Sequence, residues 1–342
     1  PLLFNAYSAM LRRRLAKRGV DLEGIDFGAG QAGLEEYDPT PQLRELARRY
    51  AELDADTQAR VSKGEAELVP GMDAFLERFG HVSDSGNDFS HVPWREDPSR
   101  LAALMTGLAS SPEPIADGAE LPSLNSLDRR LADRTARYRL ERERVSYTYT
   151  RGYSHFRPVA LEIAGRLRER GLIDEVDDVF GLTREEMEAA LLDGRDDVRS
   201  LSAQRRSEME QLADVEMPEV IFGDAFEPTP PADPDHRLQG TPSSRGVVQA
   251  VARVVGGIDD AHRVNDGDIV VIPYSDIGWT PMLSRAGGIV AEAGGLLSHS
   301  SIVAREFGIP CVVSVTGALR IPDGASVRVD GYSGKVQWEA PV

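Results

Sequence analysis

The chain has 342 residues, of which 41% are hydrophobic and 28% charged, and carries a formal net charge of −17 at pH 7. That length and composition suit two or three ordinary globular domains, and the acidic surplus argues against a general nucleic-acid binder or a binder of anionic membranes. No apolar run approaches the ~20 residues that span a bilayer, and the single cysteine, Cys311, has no partner for an internal disulfide, which fits a reducing cytoplasm.

Residues 1–78 read mostly as helix. The first residues place apolar side chains before arginines, the reverse of a secretory signal. The chain begins with Pro1 rather than Met, so its N-terminal end is expected to be incomplete. Asp38-Pro39-Thr40-Pro41 is a helix start, and apolar residues recur at Leu43, Leu46, Ala47, Tyr50 and Ala51. Pro70-Gly71 breaks the chain before a helix over residues 72–79. Residues 80–99 form a polar loop with two histidines, several acids and Trp94, a length often associated with function. Residues 127–170 return to helix, and the arginine–glutamate run at 139–144 is expected to be a solvated face. Thr183 and Glu186 fit a capping box that opens a charged helix reaching about residue 214. Proline and acidic residues then dominate residues 223–235, an exposed semi-rigid linker.

Beyond the linker the chain changes to short strands and turns. Strands are expected at 247–255, 269–273, 289–291, 311–315, 327–330 and 335–338, and helices at 280–286 and 300–307. Asp330-Gly-Tyr-Ser-Gly334 reads as the turn between the last two strands. Cys311 falls in an apolar strand and is expected to be a small buried hydrophobe. No internal repeat is present.

The segment Gly294-Gly-Leu-Leu-Ser-His299 is the most informative. It sets an imidazole at the mouth of a helix, where free N–H groups and the helix dipole favour an anion. Gly294 and Gly295 let backbone approach a phosphate closely. Ser298 suits the N-cap, with Ser300 and Ser301 beside the ring. Arg305, six residues or nearly two helical turns on, is not expected to touch the same atom as His299. This pattern alone leaves open a histidine that merely caps a helix.

The longer pattern resembles the phosphohistidine swivelling domain of the phosphoenolpyruvate-utilising enzymes. The resemblance runs through Gly240-Thr-Pro-Ser-Ser-Arg-Gly246, Asp268-Ile-Val-Val-Ile-Pro273, Gly278-Trp-Thr-Pro281, Ala286-Gly-Gly-Ile-Val290, Gly294-Gly-Leu-Leu-Ser-His299, Ile302-Val-Ala-Arg-Glu306, Gly308-Ile-Pro310 and Asp330-Gly-Tyr-Ser-Gly334. Upstream, Arg170-Gly-Leu-Ile-Asp174, Asp178-Val-Phe-Gly-Leu-Thr183 and the loop from Gly80-His81 to Pro93-Trp94-Arg95-Glu96-Asp97-Pro98 are similar too. In that loop Val82 and Ser83 replace the family's usual Arg-Gly, and Asn87 stands where Glu is common.

The resemblance implies a multidomain α + α/β chain. It consists of a mostly helical acceptor domain (1–223), a Pro-rich linker (224–236) and a β/α swivelling domain (237–342), an order most similar to rifampicin phosphotransferases without their ATP-binding part. It implies that His299 is the phosphorylated catalytic residue, with Gly294, Gly295, Ser298, Ser300 and Arg305 supporting the phosphoryl group. No glycine-rich nucleotide loop with a following lysine lies in these residues. ATP and Mg2+ are therefore expected on a separate ATP-grasp domain or subunit, with no metal or cofactor held by this chain. The acceptor is expected to be a small molecule near residues 80–98. His81 is either a general base or a structural histidine bonded to Asp84 or Asp88. Trp94 either lines the acceptor pocket or staples the loop to the core, and Asp88 either serves the site or is solvated. The alternative function is a phosphocarrier subunit of a split phosphoenolpyruvate synthase-like or phenylphosphate synthase-like complex.

Overall fold

The computed structural model describes residues 2–19, 33–110, 124–212, 236–296 and 298–339. Most of the expected linker, 224–236, lies outside them.

The N-terminal part is helical: α1 (Leu2–Ala16), α2 (Thr40–Ala51), α3 (Ala55–Val61), α4 (Met72–Phe79), α5 (Ser99–Ser110), α6 (Ser126–Tyr153), α7 (Phe156–Glu169), α8 (Arg184–Leu192) and α9 (Val198–Leu212). Their starts follow from local chemistry. The Asp38 carboxylate accepts from Thr40 N at 2.8 Å where α2 begins. Asn125 caps α6 through the N–H groups of Leu127 and Asp128, and Thr183 and Glu186 close the expected capping box on α8. The helix expected over 127–170 is broken at Ser154-His155. Pro158 explains the break, because it has no N–H for the Ser154 carbonyl and its ring would crowd that oxygen in a continuous helix. Residues 176–181 form a 3₁₀ turn before α8. The apolar helix α5 was not among the expected elements.

The C-terminal part is one eight-stranded sheet: β1 (Arg237–Gln239), β2 (Thr241–Ser244), β3 (Val247–Val254), β4 (Ile269–Ile272), β5 (Gly288–Ala291), β6 (Cys311–Val313), β7 (Ser326–Asp330) and β8 (Lys335–Trp338), in the order β1-β8-β7-β3-β4-β5-β6-β2. Strands β3 to β6 run parallel, whereas β7, β8, β1 and the edge strand β2 pair antiparallel. The short helices α10 (Thr280–Leu283) and α11 (His299–Phe307) join β4 to β5 and β5 to β6. β1 and β2 were not expected from the sequence. They are three and four residues long, and Pro242 in β2 is tolerated because that strand lies on an edge.

The apolar runs of β4, β5 and β6 are explained by burial on both faces. Alternate residues serve two cores. Ile269, Val271, Val290 and Val312 pack with Val327, Val329 and Val336. Val270, Ile272, Ile289, Ala291, Cys311 and Val313 face the other way, together with Trp279, Met282, Leu283 and Val303. That second core continues without interruption into Leu43, Leu46, Phe75, Phe79, Leu101, Leu104 and Met105 of α2, α4 and α5. The sheet and these helices therefore bury their apolar faces against each other. A separate core holds α7, α8 and α9 together.

Candidate functional site

Strands β4 and β5 are parallel neighbours, with Ile272 paired to Ala291. The chain leaving their carboxyl ends builds the site, the usual place for ligands in such sheets. The loop after β4 delivers Thr280 at the start of α10, and the loop after β5 delivers His299 at the start of α11. Their side chains meet, with Thr280 Oγ1 2.8 Å from His299 Nε2.

The loop before His299 is pinned from several sides. Ser298 is the N-cap of α11, and its Oγ accepts from Ser301 N and lies 3.1 Å from Ser300 Oγ. Ser301 Oγ donates to Gly295 O at 2.8 Å. Gly294 has φ +141°, and a Cβ there would sit 3.0 Å from Ser298 Oγ, so conformation and space both favour glycine. Arg305 donates to Leu296 O at 2.8 Å and to Ser243 O at 3.0 Å. Its guanidinium thus braces this loop against β2.

Burial lowers the His299 pKa below its ordinary value, against the opposing pull of Glu143, Asp276 and Glu306. The ring is therefore neutral near pH 7, the state a histidine nucleophile needs.

The environment of His299 contains residues that the sequence reading misassigned. The run at 139–144 is not a solvated face. Arg139 and Glu143 are buried, and Arg142 keeps only 8% of its side-chain exposure. Arg142 and Arg139 pair with Glu306 of α11 at 2.9 and 3.4 Å, and Arg142 also pairs with Glu143. Burial alone would raise the Glu306 carboxyl, but the two guanidiniums outweigh it and hold the pKa below its ordinary value. The signal was present as spacing. Asp128, Ala132, Thr135, Arg139, Glu143, Tyr147 and Thr150 recur every three or four positions and form one buried stripe of α6. Its polar composition concealed it.

The 80–98 loop resolves into three parts. His81 is 4% exposed, packs edge-on against Tyr147 with ring centroids 4.8 Å apart, and among the described residues has no hydrogen-bond partner on either ring nitrogen. It bonds neither Asp84 nor Asp88. Burial, aided by Arg95 and Arg151, pushes its pKa down to about 4. With Ser85, Phe89, Tyr153 and Arg157 it lines a small pocket open to solvent. Asp88 is at the rim, with its Oδ2 3.8 Å from His91 Nε2. Trp94 is not on the pocket wall. It is fully buried and stacked on Phe75, so it staples the loop to the core. Asp84 and Gly86, on the loop's other side, touch the C-terminal sheet domain. Asp84 O accepts from Trp279 Nε1 at 2.9 Å, and Gly86 N donates to Asp276 Oδ2 at 2.8 Å.

Cys311 is buried, and burial pushes its thiol up to about 12. Among the described residues no helix is long and apolar enough to cross a membrane.

Two family models match the chain. Residues 264–334 match the mobile domain of the PEP-utilising enzymes, and residues 34–151 match the fourth domain of rifampicin phosphotransferase. His299 and Thr280 lie in the first match; His81, Arg139, Arg142 and Glu143 lie in the second. The C-terminal part is thus a mobile domain of the phosphoenolpyruvate-utilising enzymes, joined to helices of the rifampicin phosphotransferase kind. Among curated relatives, the rifampicin phosphotransferase of Bacillus cereus is 27% identical over 80% of this chain and 35% of its own length. That of Streptomyces sviceus is 29% identical over 87% and 38%, and an uncharacterized protein of Mycobacterium tuberculosis is 32% identical over 77% and 30%. The chain therefore spans only about a third of these relatives. Among solved structures, Thermococcus kodakaraensis aconitase X aligns with 18% identity over 30% of this chain and 98% of its own, and an Enzyme I protein with 11% over 94% of each. Their TM-scores of 0.26 and 0.24 are too low to define a shared fold.

Proposed function

We propose that this chain is the carrier and acceptor part of a phosphotransferase. His299 takes a phosphoryl group from ATP held by a separate ATP-grasp domain and passes it to a small molecule. One observation carries the reading: a neutral histidine opens α11, its ring nitrogen held by Thr280, on a helix whose Glu306 is paired with two buried arginines of α6. In the first step a ring nitrogen bonds the phosphorus and a P–O bond of the donor breaks. In the second, an acceptor oxygen bonds the phosphorus, the P–N bond breaks, and the hydroxyl proton passes to a base. The P–N bond is reactive, so positioning and charge stabilisation carry most of the catalysis. Arg139 and Arg142, paired with Glu306 and Glu143, fix the α11 helix that carries His299, and Mg2+ belongs with the nucleotide.

His81 is the candidate base or anchor for the acceptor, because its ring lines the pocket and neither nitrogen makes a well-formed hydrogen bond among the described residues. Thr150 on the pocket wall lies two helical turns from Glu143, about 10 Å along α6. The experiment is radiolabelling. ATP alone should leave the chain unlabelled, whereas ATP with an ATP-grasp domain should give an acid-labile, alkali-stable label that His299→Asn abolishes. Label that persists in His299→Asn overturns the reading.

A further inference from the structure

The 82–86 segment makes a set of contacts that acceptor binding does not require. Asp84 Oδ2 accepts from Ile258 N at 3.4 Å. Arg100 of α5 bridges Asp84 at 3.5 Å and Asp259 at 3.3 Å. The Asp84 carbonyl receives the Trp279 indole N–H, and Asp276 receives the Gly86 N–H. Gly278 lies so close that a Cβ there would stand 2.6 Å from Ser83 O. Ile258, Asp259, Asp276, Gly278 and Trp279 all belong to the C-terminal domain, and Asp276 also acts electrostatically on His299.

The apolar seam behind these contacts is non-directional and holds the two parts together without choosing an angle. Carboxylate–amide bonds are directional and strong. They join the seam at the loops that carry Thr280 and lie next to His299. We propose that Asp84 and Asp276 are positioning residues, latching the C-terminal domain onto the 82–86 segment so that α11, which carries His299, docks through Glu306 against Arg139 and Arg142 of α6. The loop is then an orientation device on one side and a pocket wall on the other. The latch presupposes only the geometry. Its bearing on phosphoryl chemistry rests on the proposed function.

The test uses the full chain with labels at Arg184→Cys and Tyr332→Cys, both exposed positions, while native Cys311 stays buried. Distances are measured by pulsed electron spin resonance. The otherwise unchanged chain should give one narrow distribution. Asp84→Ala with Asp276→Ala should raise a second population by ~10-fold or more, the effect of losing charge-assisted bonds. Arg100→Gln should shift the distribution the same way by less, and serves if the double variant fails to fold. An unchanged distribution in a folded variant overturns the latch. This readout needs neither donor nor acceptor, so it fails separately from the chemistry of His299. A second readout applies once label has been placed on His299. The Asp84→Ala variant, which leaves Asp276 beside His299 in place, should take up label no more slowly but lose it to water faster. Equal loss of uptake and retention would assign Asp84 a merely structural role and overturn the proposal.

Discussion

Glu306 on α11 accepts a 2.9 Å hydrogen bond from Arg142 on α6, across 164 residues of sequence and between the two halves of the molecule. Arg139 reaches the same carboxylate. His299, the proposed phosphate carrier, and this cross-domain ion cluster therefore share one short helix, and residues of α6 contribute to the electrostatics of His299.

Removing Glu306 should be costly. Glu306→Ala removes the carboxylate that Arg139 and Arg142 share, leaving Arg142 its pair with Glu143, and breaking a buried pair from one side costs roughly 3–5 kcal/mol. Urea denaturation checks this. A loss below about 1 kcal/mol would show that the pair adds nothing beyond what water supplies.

The pH dependence of labelling should also move. The depressed pKa of His299 keeps the ring neutral, so its acid limb should lie below the ordinary histidine value of about 6.5. Glu306 favours the charged ring, and removing that charge lowers the pKa further. The acid limb of Glu306→Gln should therefore shift to lower pH. A shift to higher pH in the labelling profile would contradict this arrangement.

Thr280→Val removes the partner of His299 Nε2 while keeping the side chain's volume. The loss of one hydrogen bond, about 1 kcal/mol, should slow labelling ~3- to 10-fold with little change in the melting temperature. Unchanged labelling kinetics would free the ring from any dependence on Thr280.

His81 makes stability depend on pH. Its folded pKa of about 4 lies below the unfolded value. Between those two values the unfolded chain binds a proton that the folded chain refuses. Stability should therefore fall as pH drops from about 6.5 toward 4, by on the order of 3 kcal/mol. His81→Phe should flatten that slope, as read from denaturation curves at several pH values. An equally steep slope in the variant would place the titration elsewhere.

Trp94→Ala should destabilise the fold by roughly 3–5 kcal/mol, the cost of emptying a core aromatic site. His299 labelling of the folded variant should be unaffected. A labelling defect with unchanged stability would return Trp94 to the site.

Local chemistry was legible in the sequence wherever it acts locally. Proline, serine and threonine at helix starts and the apolar runs of β4 to β6 carry their meaning within a few residues, whereas the Gly-Gly-Leu-Leu-Ser-His segment takes its meaning from the longer pattern around it. What escaped depends on partners far along the chain. Arginines and glutamates at 139–144 have the composition of a wet surface, and only Glu306, more than 160 positions away, makes them interior. Trp94 and His81 sit in one polar loop with similar prospects on paper. The fold sends the indole into the core against Phe75 and leaves the imidazole on a pocket wall. The short edge strands β1 and β2 escaped because so few residues, one of them proline, show no periodicity.

The lone thiol of Cys311 lies within the core that the sheet shares with α2, α4 and α5. No second cysteine competes for an alkylating reagent, and the raised thiol pKa suppresses reaction in the closed state. The alkylation rate of the unmutated chain is thus a clock for how often that core opens, read by mass spectrometry without any added probe.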